Sequence, residues 1–129
     1  IIKPVDSSAS RGVKKIYSAD ELKTAYFEAF KYSKCGDVII EKFIEGPEYS
    51  IEALCYDDKI YIIAITEKIT HGYKNVYFVE HRHIIPASIS SEKEKKIRIT
   101  VINAIKKIGL NSCAVHAEIK YSINGPVII

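Results

Sequence analysis

Two segments of this 129-residue chain repeat apolar residues at helical spacing, and the rest of the chain is typical of strands. In the first segment, Ser18 and Glu21 predict a capping box at the start of a helix, and Cys35-Gly36 predicts its end. Its apolar face is predicted to comprise Leu22, Ala25, Tyr26, Ala29 and Phe30. A few helices among many strands restrict the chain to folds in which helices cover a sheet.

The second helix is predicted to begin near Ser90-Ser91, where Ser91 and Glu94 form another capping-box pattern. Gly109 predicts its end, because glycine readily adopts the left-handed conformation that terminates helices. The buried stripe is predicted to consist of Ile97, Val101, Ala104, Ile105 and Ile108. This segment is therefore expected to pack one apolar face against a sheet.

Strands are predicted from short β-branched runs and from alternation of apolar and polar residues. Alternation over residues 49–67, interrupted at Asp57-Asp58, predicts a β-hairpin. Further strands are predicted at 38–44, 76–85 and 114–123, and at 126–129 after a turn at Asn124-Gly125. The order of elements predicts an α+β fold, with helices packed on one face of a largely antiparallel sheet. No linker is visible, so residues 1–129 are predicted to form a single subdomain.

The composition disfavours several classes of protein. Hydrophobic residues make up 47% of the chain and charged residues 27%, which suits a folded domain with a core. The net charge of +3 comes from lysines spread along the sequence, so a nucleic-acid interface with clustered basic residues is not expected. No apolar run reaches the roughly 20 residues that span a bilayer, so no membrane segment is expected.

Three widely separated cysteines, Cys35, Cys55 and Cys113, form a poor disulfide framework because their number is odd. They predict a reducing, cytoplasmic compartment, and all three are expected to be core residues. Among His81, His83, Cys113 and His116, no tight pair of ligands has a structural zinc spacing, so a zinc site is disfavoured.

The chain contains no methionine, and both of its ends are apolar and strand-like. We therefore expect a fragment of a larger enzyme, whose remaining domains are its partners. Unpaired apolar strands at Ile1-Ile2 and at 127–129 would favour self-association, so the isolated fragment is also expected to form homo-oligomers.

Residues 3–13 combine a strand that ends in a lysine, a loop of small hydroxyl-bearing residues and the start of a second strand. Small side chains let backbone N–H groups approach an anion, and Lys3 and Arg11 can form charge-assisted hydrogen bonds with phosphate oxygens. The candidate phosphate-binding residues are Lys3, Ser7, Ser8, Ser10, Arg11 and Gly12. A solvated serine-rich turn with two surface cations explains this segment equally well. The Walker A and GxGxxG patterns are both absent.

A second candidate segment, residues 41–48, carries three carboxylates around two apolar side chains. An adenine pocket needs apolar walls and an acceptor for the exocyclic amine. Phe43 and Ile44 could supply the walls, and Glu41 could accept from the amine. Glu48 could accept from ribose hydroxyls. Taken alone, a hairpin with exposed acids is the more common explanation of such a segment.

A third candidate lies on the strand predicted at 114–123. Because side chains alternate along a strand, His116, Glu118 and Lys120 share one face. A single carboxylate there suits Mg²⁺, which favours one or two carboxylates together with phosphate oxygens. A solvent-facing strand would show much the same pattern.

In this order and spacing, the three segments resemble the ATP-grasp superfamily, in the branch of amino-acid ligases and of biotin-carboxylase or carbamoyl-phosphate-synthetase-like domains. The matching residues are 2–4 with 7–13, then 38–48, then 116–120, so the resemblance extends over essentially the whole chain. It implies the C-terminal, ATP-binding subdomain of such an enzyme. ATP and Mg²⁺ are the implied cofactors, with Mn²⁺ as an alternative ion.

The resemblance also implies residue roles. Lys3 would contact the nucleotide phosphates, and the loop at 7–12 would close over them. Glu41 would accept from the adenine amine, with the backbone of Lys42, Phe43 and Ile44 along the ring. Glu48 would bind ribose, and Glu118 would be the first acidic Mg²⁺ ligand. Glu80, His81 and His83 lie where relatives often place substrate-side residues.

The implied parent reaction activates a carboxylate as an acylphosphate for attack by an amine, so nucleotide and small carboxylate and amine substrates are the expected ligands. Lys3 and Arg11 would act in catalysis by offsetting charge on the transferred phosphoryl group. One alternative is bicarbonate activation, as in carboxylases and carbamoyl-phosphate synthesis. Another is a nucleotide-binding module without catalysis. The family's second acidic metal motif, which follows a strand like 126–129, is absent here, so the fragment alone is expected to be inactive.

Overall fold

The computed structural model describes residues 1–70 and 80–129. Its strands are β1 (Ile2–Pro4), β2 (Val38–Ile40), β3 (Glu48–Tyr56), β4 (Lys59–Thr70), β5 (Glu80–Ile84), β6 (Cys113–Ser122) and β7 (Gly125–Ile128). Its helices are α1 (Leu22–Tyr32), which follows a short 3-10 turn (Ala19–Glu21), and α2 (Ser91–Ile108). The named strands of this part of the chain all pair antiparallel, and the predicted α+β class is confirmed.

Contacts within the chain divide the described residues into two compact units. The first contains Ile1–Phe43, and the second contains Ile44–Thr70 and Glu80–Ile129. No linker rich in glycine, proline or serine marks this division in the sequence, and residues 1–129 as a single subdomain of a larger enzyme stays a prediction. The prediction that both helices cover one sheet needs correction, since each unit has its own sheet and its own helix.

The first unit is built on a two-stranded sheet of β1 and β2, in which Ile2 lies opposite Ile40. Ile2 is fully buried and packs with Ala25 and Ala29 of α1. The strand predicted after the serine-rich loop is reduced to one bridge between Ile2 and Lys14. Among the described residues, the core of this unit therefore comprises Ile2, Ala25 and Ala29, with Ile16 and Val38 partly buried against them.

Helix α1 begins and ends differently from the prediction. Ser18 makes no side-chain capping bond, and Glu21 precedes the helix as its N-terminal cap. The Glu21 carboxylate instead accepts from the backbone N–H of Tyr17 at 3.4 Å. The helix ends at Tyr32, before Cys35-Gly36, because Ser33 adopts an extended conformation. On the predicted apolar face only the two alanines are buried, and Leu22, Tyr26 and Phe30 are exposed.

The second unit is a five-stranded sheet in the order β5-β4-β3-β6-β7. The predicted hairpin at 49–67 is confirmed as β3 and β4, and Asp57 and Asp58 at its turn have φ values of 50° and 57°. Positive φ at both central residues is typical of the tight turns whose twist matches that of a hairpin. The predicted final hairpin is also confirmed, as β6 and β7.

Helix α2 covers one face of this sheet. Ile97, Val101 and Ile105 are buried against Tyr49, Ile51 and other residues of the sheet, whereas Ile108, predicted to be buried, is 70% exposed. The N-terminal cap is Ser90 rather than Ser91, and its side chain accepts from the Lys93 N–H at 3.4 Å. Gly109 ends the helix with a φ of 76°, as predicted.

Two predicted strands are shorter in the structure. The strand at 38–44 ends at Ile40, so residues 41–47 lie outside regular strands. Of the strand at 76–85, the structure shows β5, and residues 76–79 lie outside the described residues. Cys55 is buried as expected, but Cys113 is partly exposed and Cys35 is exposed, which corrects the prediction for Cys35. Neither helix in the described part of the chain is both long and apolar enough to cross a membrane.

Candidate functional site

The five-stranded sheet has an apolar face and a polar face. Tyr49, Ile51, Ala53 and Cys55 of β3 lie in the core with α2. The alternate residues of β3 therefore point to the opposite side, where they meet their register partners on β4 and β6. We define the polar sheet face by the residues Glu48, Ser50, Glu52, Thr66, Lys68, His116, Glu118 and Lys120.

A buried ion network occupies one end of the polar sheet face. Lys68 Nζ lies 3.0 Å from Glu48 Oε1 and also contacts Glu118 Oε1. Lys120 Nζ lies 3.3 Å from Glu48 Oε2. The side chains of Lys68, Glu48 and Lys120 are 4%, 12% and 14% exposed, and that of Glu118 is 40% exposed. Glu48 and Glu118, both predicted as site residues, are thus brought together by a lysine that the sequence analysis did not identify.

Lys68 was missed because no local pattern marks it. The chain has 19 lysine and arginine residues, and Lys68 stands in an ordinary alternating strand. Its importance comes from its register, since it lies directly opposite Glu48 on the neighbouring strand. The sequence indicates Lys68 only through the pairing of the predicted hairpin, in which it faces Glu48.

At the other end of the same face, His116 lies between two carboxylates. Its Nδ1 is 2.7 Å from Glu52 Oε1, and its Nε2 is 3.7 Å from Glu118 Oε1. The predicted grouping of His116, Glu118 and Lys120 on one face agrees with their register opposite Glu52, Ser50 and Glu48. The face therefore presents an acidic centre that basic side chains hold from several directions.

Gly46 sets the path of the chain into Glu48. Its φ is 136°, and a Cβ atom built on it would lie 2.1 Å from the carbonyl oxygen of Tyr121. Directly after it, the Pro47 carbonyl accepts from the Tyr121 N–H at 2.9 Å. A side chain at position 46 would disturb this contact with β6, so glycine is required here for the entry of β3.

In the first unit, Lys3 and Glu41 form an ion pair with an Nζ–Oε2 distance of 2.7 Å. Their side chains are 27% and 41% exposed. Phe43 lies under the ammonium group of Lys15, 3.7 Å from the ring centroid. Of the other residues predicted along the adenine ring, Lys42 is exposed and Ile44 partly buried.

The serine-rich loop of the first unit borders a basic cleft of about 280 Å³. Its lining includes Ser7, Ser8 and Arg11, which the sequence predicted, and also Lys31 and Lys34, which it did not. Arg11 is held in the loop because its Nε and Nη2 donate to the Ser8 carbonyl and hydroxyl at 3.1 and 2.9 Å. Three cations and two hydroxyl groups make this cleft suitable for an anion.

Positive φ values shape this loop at Ala9 (55°), Ser10 (54°) and Gly12 (74°). A Cβ atom at Gly12 would lie 2.9 Å from Cδ2 of Tyr32, so only glycine lets the loop pass this ring without a shift. This end of the loop therefore passes close to the ring of Tyr32 on α1.

Asp6 holds the first end of the loop. Its carboxylate accepts from the backbone N–H groups of Lys34 and Cys35, each at 2.9 Å, and from the Ser33 hydroxyl at 3.1 Å. The N–H of Lys34 lowers the pKa of Asp6, partial desolvation opposes this, and the N–H of Cys35 lowers it further. The carboxylate is thus stabilised in its ionised form.

The donors of the polar sheet face fit a magnesium ion only together with a ligand that supplies oxygens. Within residues 1–70 and 80–129, no group of three or more His, Cys, Asp or Glu side chains is arranged to hold a metal ion. Glu118 offers one carboxylate, which is what Mg²⁺ requires when phosphate oxygens complete its shell. Of the predicted substrate-side residues, His83 lies opposite Lys68 in register, and the side chains of Glu80 and His81 lie outside the described residues.

Comparison with known proteins gives consistent similarities. A D-alanine–D-alanine ligase from Geobacillus thermodenitrificans is 33% identical over 117 residues, which cover 88% of this chain and 32% of the relative. The crystal structure of an L-amino acid ligase from Bacillus licheniformis matches 99% of this chain with a TM-score of 0.79 and 26% identity, over 29% of its own length. That of the VanG D-Ala:D-Ser ligase from Enterococcus faecalis matches 98% with a TM-score of 0.78 and 27% identity, over 37% of its length.

The antiparallel α+β fold is shared with these solved structures, which belong to the class of ATP-dependent ligases. The family model for the ATP-grasp domain matches residues 1–129, and the chain is a member of the ATP-grasp family. The chain spans about a third of the length of the curated relatives that it matches.

Proposed function

We propose that this chain binds ATP in an enzyme that joins the carboxylate of one amino acid to the amine of another. The observation that carries the proposal is the similarity of nearly the whole chain to solved structures of an L-amino acid ligase and a D-Ala:D-Ser ligase. The curated relative is also an amino-acid ligase by name. These names favour an amino-acid substrate over bicarbonate.

In the proposed reaction, a substrate carboxylate attacks the γ-phosphate of ATP and forms an acylphosphate, which the amine then attacks as phosphate leaves. The enzyme needs no covalent nucleophile for this chemistry, because positioning and charge stabilisation accomplish most of phosphoryl transfer. The chain's own contribution is then to hold the nucleotide and to offset negative charge. Lys3 and Arg11 are the cations that we assign to this role.

The assignment of Lys3 and Glu41 is supported by their exposed ion pair. In a pair that is 27% and 41% exposed, each group can exchange its partner for a ligand at little cost. Lys3 can then turn to a phosphate oxygen, and Glu41 can accept from the adenine amine. Phe43, under Lys15, offers an aromatic face near the same segment. The loop of Ser7, Ser8, Ser10, Arg11 and Gly12 supplies further donors for phosphate oxygens.

On the polar sheet face, we assign Glu48 to the ribose hydroxyls and Glu118 to a magnesium ion. When bound, Mg²⁺, or Mn²⁺ in its place, would offset charge on the phosphate oxygens. Glu118 is 40% exposed and so can reach a ligand, whereas Glu48 is 12% exposed and fixed by two lysines. This difference suits a metal ligand in one case and a rigid hydrogen-bond acceptor in the other.

The proposal is tested by ADP release from the full-length protein with ATP, Mg²⁺ and a panel of L- and D-amino acids, and separately with bicarbonate. ADP release that requires an amino acid, with formation of a dipeptide, is the expected result. ADP release that bicarbonate alone supports would instead identify the carboxylating branch. Saturable ATP binding without ADP release under any of these conditions would indicate a nucleotide-binding module.

Calorimetric titration of MgADP into the full-length protein tests the residue assignments. Lys3→Ala and Glu41→Ala are expected to weaken binding by about 10-fold or more each, because a hydrogen bond to a charged group contributes about 1.5–3 kcal/mol. Lys96→Met is the matched control, since it removes only an exposed ion pair with Glu92 on α2. Unchanged affinity in both test variants would contradict these assignments.

A further inference from the structure

Lys68 occupies an unusual position for a lysine. Its side chain is 4% exposed, although ammonium groups are rarely buried without a specific partner. It contacts carboxylates from two different strands, Glu48 on β3 and Glu118 on β6. Since the sheet order is β4-β3-β6, Lys68 reaches across the whole width of β3 to contact Glu118.

The small side chain of Ser50 on β3 lets the Lys68 side chain cross this strand. Ser50 lies in register with Thr66 on one side and with Glu118 on the other, and it is 6% exposed. Strands β4 and β6 are two strand spacings apart, about 9.6 Å. Only a long side chain can span this distance, and the residue that it crosses must be small. Lysine at position 68 and serine at position 50 therefore act together to connect Glu118 with Glu48.

The contact also fixes the orientation of Glu118. Without Lys68, the Glu118 carboxylate would keep the His116 ring as a neighbour, with Nε2 at 3.7 Å from Oε1. The ammonium group instead holds Oε1 on the side of β3. A carboxylate held through one oxygen is pre-oriented to use the other toward a ligand, as outer-shell hydrogen bonds generally do for metal ligands.

We propose that Lys68 is a positioning residue, which holds the Glu118 carboxylate in the orientation that binds the metal ion of the nucleotide complex. This inference rests on the proposed function, because it assumes that Glu118 is a metal ligand. Lys68 acts through Glu118 and is not itself assigned a contact with the substrate. Lys120 Nζ lies 3.3 Å from Glu48 Oε2 and so contacts the neighbouring carboxylate.

The test measures Mn²⁺ binding to the full-length protein by electron paramagnetic resonance, with ADP present, and ADP binding without metal by calorimetry. Lys68→Met is expected to raise the dissociation constant for Mn²⁺ about 10- to 100-fold, the usual effect of removing an outer-shell partner. Affinity for ADP without metal should change far less. Lys68→Arg, which keeps the charge, should recover part of the Mn²⁺ affinity.

Lys120→Met is the matched control, because it removes a lysine from the same sheet face without touching the contact between Lys68 and Glu118. Its dissociation constant for Mn²⁺ should stay near that of the wild type. If Lys68→Met does not fold, the double variant Lys68→Met/Glu48→Gln removes one charge of each sign and keeps the network balanced. Compared with Glu48→Gln alone, it should show the same 10- to 100-fold loss.

Two results would overturn the inference while leaving the proposed function intact. One is unchanged Mn²⁺ affinity in a folded Lys68 variant. The other is an equal loss of affinity for Mn²⁺ and for metal-free ADP, which would make Lys68 a direct phosphate ligand. By contrast, a wild-type protein that binds neither ADP nor Mn²⁺ would overturn the proposed function and the inference together.

Discussion

The two compact units hold their candidate charged residues in different surroundings. In the first, Lys3 and Glu41 form a pair that is 27% and 41% exposed, and in the second, Lys68 and Glu48 form one that is 4% and 12% exposed. Exposed pairs contribute about 0–1 kcal/mol to folding, whereas removing one partner from a buried pair costs about 3–5 kcal/mol. An exposed pair can therefore be opened by a ligand, while a buried network must keep its geometry.

Breaking the buried network should have the largest effect. Lys68→Met leaves Glu48 and Glu118 without their shared cation, so we expect the free energy of unfolding to fall by about 3–5 kcal/mol. Denaturant unfolding of the full-length protein, followed at the transition of this domain, measures the change. A loss below about 1 kcal/mol would show that the network behaves like an exposed pair.

The control for this prediction is Lys96→Met on α2. Lys96 also forms an ion pair, with Glu92 at 2.8 Å, but the two side chains are 53% and 78% exposed. We expect this variant to lose about 0.5 kcal/mol or less, as is usual for exposed pairs four residues apart on a helix. The difference between the two variants isolates the effect of burial from that of charge.

The entry into β3 should be the next most sensitive feature, because it places Glu48 in the network. Gly46→Ala combines a φ of 136° with a Cβ atom 2.1 Å from the Tyr121 carbonyl oxygen, so a loss of about 3 kcal/mol is expected. Gly125→Ala is the matched variant: its φ is 110°, but a Cβ atom there meets nothing within 4 Å. Equal losses in the two variants would mean that backbone strain alone, and not the contact with Tyr121, requires glycine at 46.

Much of the fold could be predicted from the sequence because its signals are local. The hairpin of β3 and β4 follows from alternation around Asp57-Asp58, and α2 follows from its apolar stripe and Gly109. Where a prediction failed, a different local interaction replaces the predicted one. Ser18 and Glu21 match a capping box, but Glu21 bonds the Tyr17 N–H and a 3-10 turn precedes α1.

The candidate site could be predicted only in part, for a different reason. Motif spacing identifies Glu48 and Glu118 as separate residues, but their connection depends on the register of three strands and on a lysine between them. In the same way, Lys31 in the last turn of α1 and Lys34 just after the helix line the basic cleft, and no motif encodes their position there. Local sequence patterns do not encode contacts between segments that are distant in the chain.

Opening the exposed pair should separate stability from binding. Lys3→Ala is expected to change the free energy of unfolding by less than about 1 kcal/mol, because its partner Glu41 remains in contact with solvent. The same variant should weaken MgADP binding by about 10-fold or more under the proposed function. Unfolding and calorimetry on one preparation of the full-length protein measure both. A large loss of stability would show that this pair also supports the fold and would remove the contrast between the two units.

The smallest expected effect concerns Asp6, which anchors the loop of the first unit and has a lowered pKa owing mainly to the Lys34 N–H. A group whose pKa is lower in the folded state stabilises the fold at pH values above its ordinary pKa of 3.8 and loses this contribution as the pH falls through the folded-state value. Asp6→Asn should therefore be less stable than the wild type at neutral pH, and the difference should shrink below pH 3.8. Unfolding free energies of Asp6→Asn and of the wild type, measured in parallel as a function of pH, test this. A difference between Asp6→Asn and the wild type that is independent of pH would assign the effect to hydrogen-bond geometry rather than to the charge of the carboxylate.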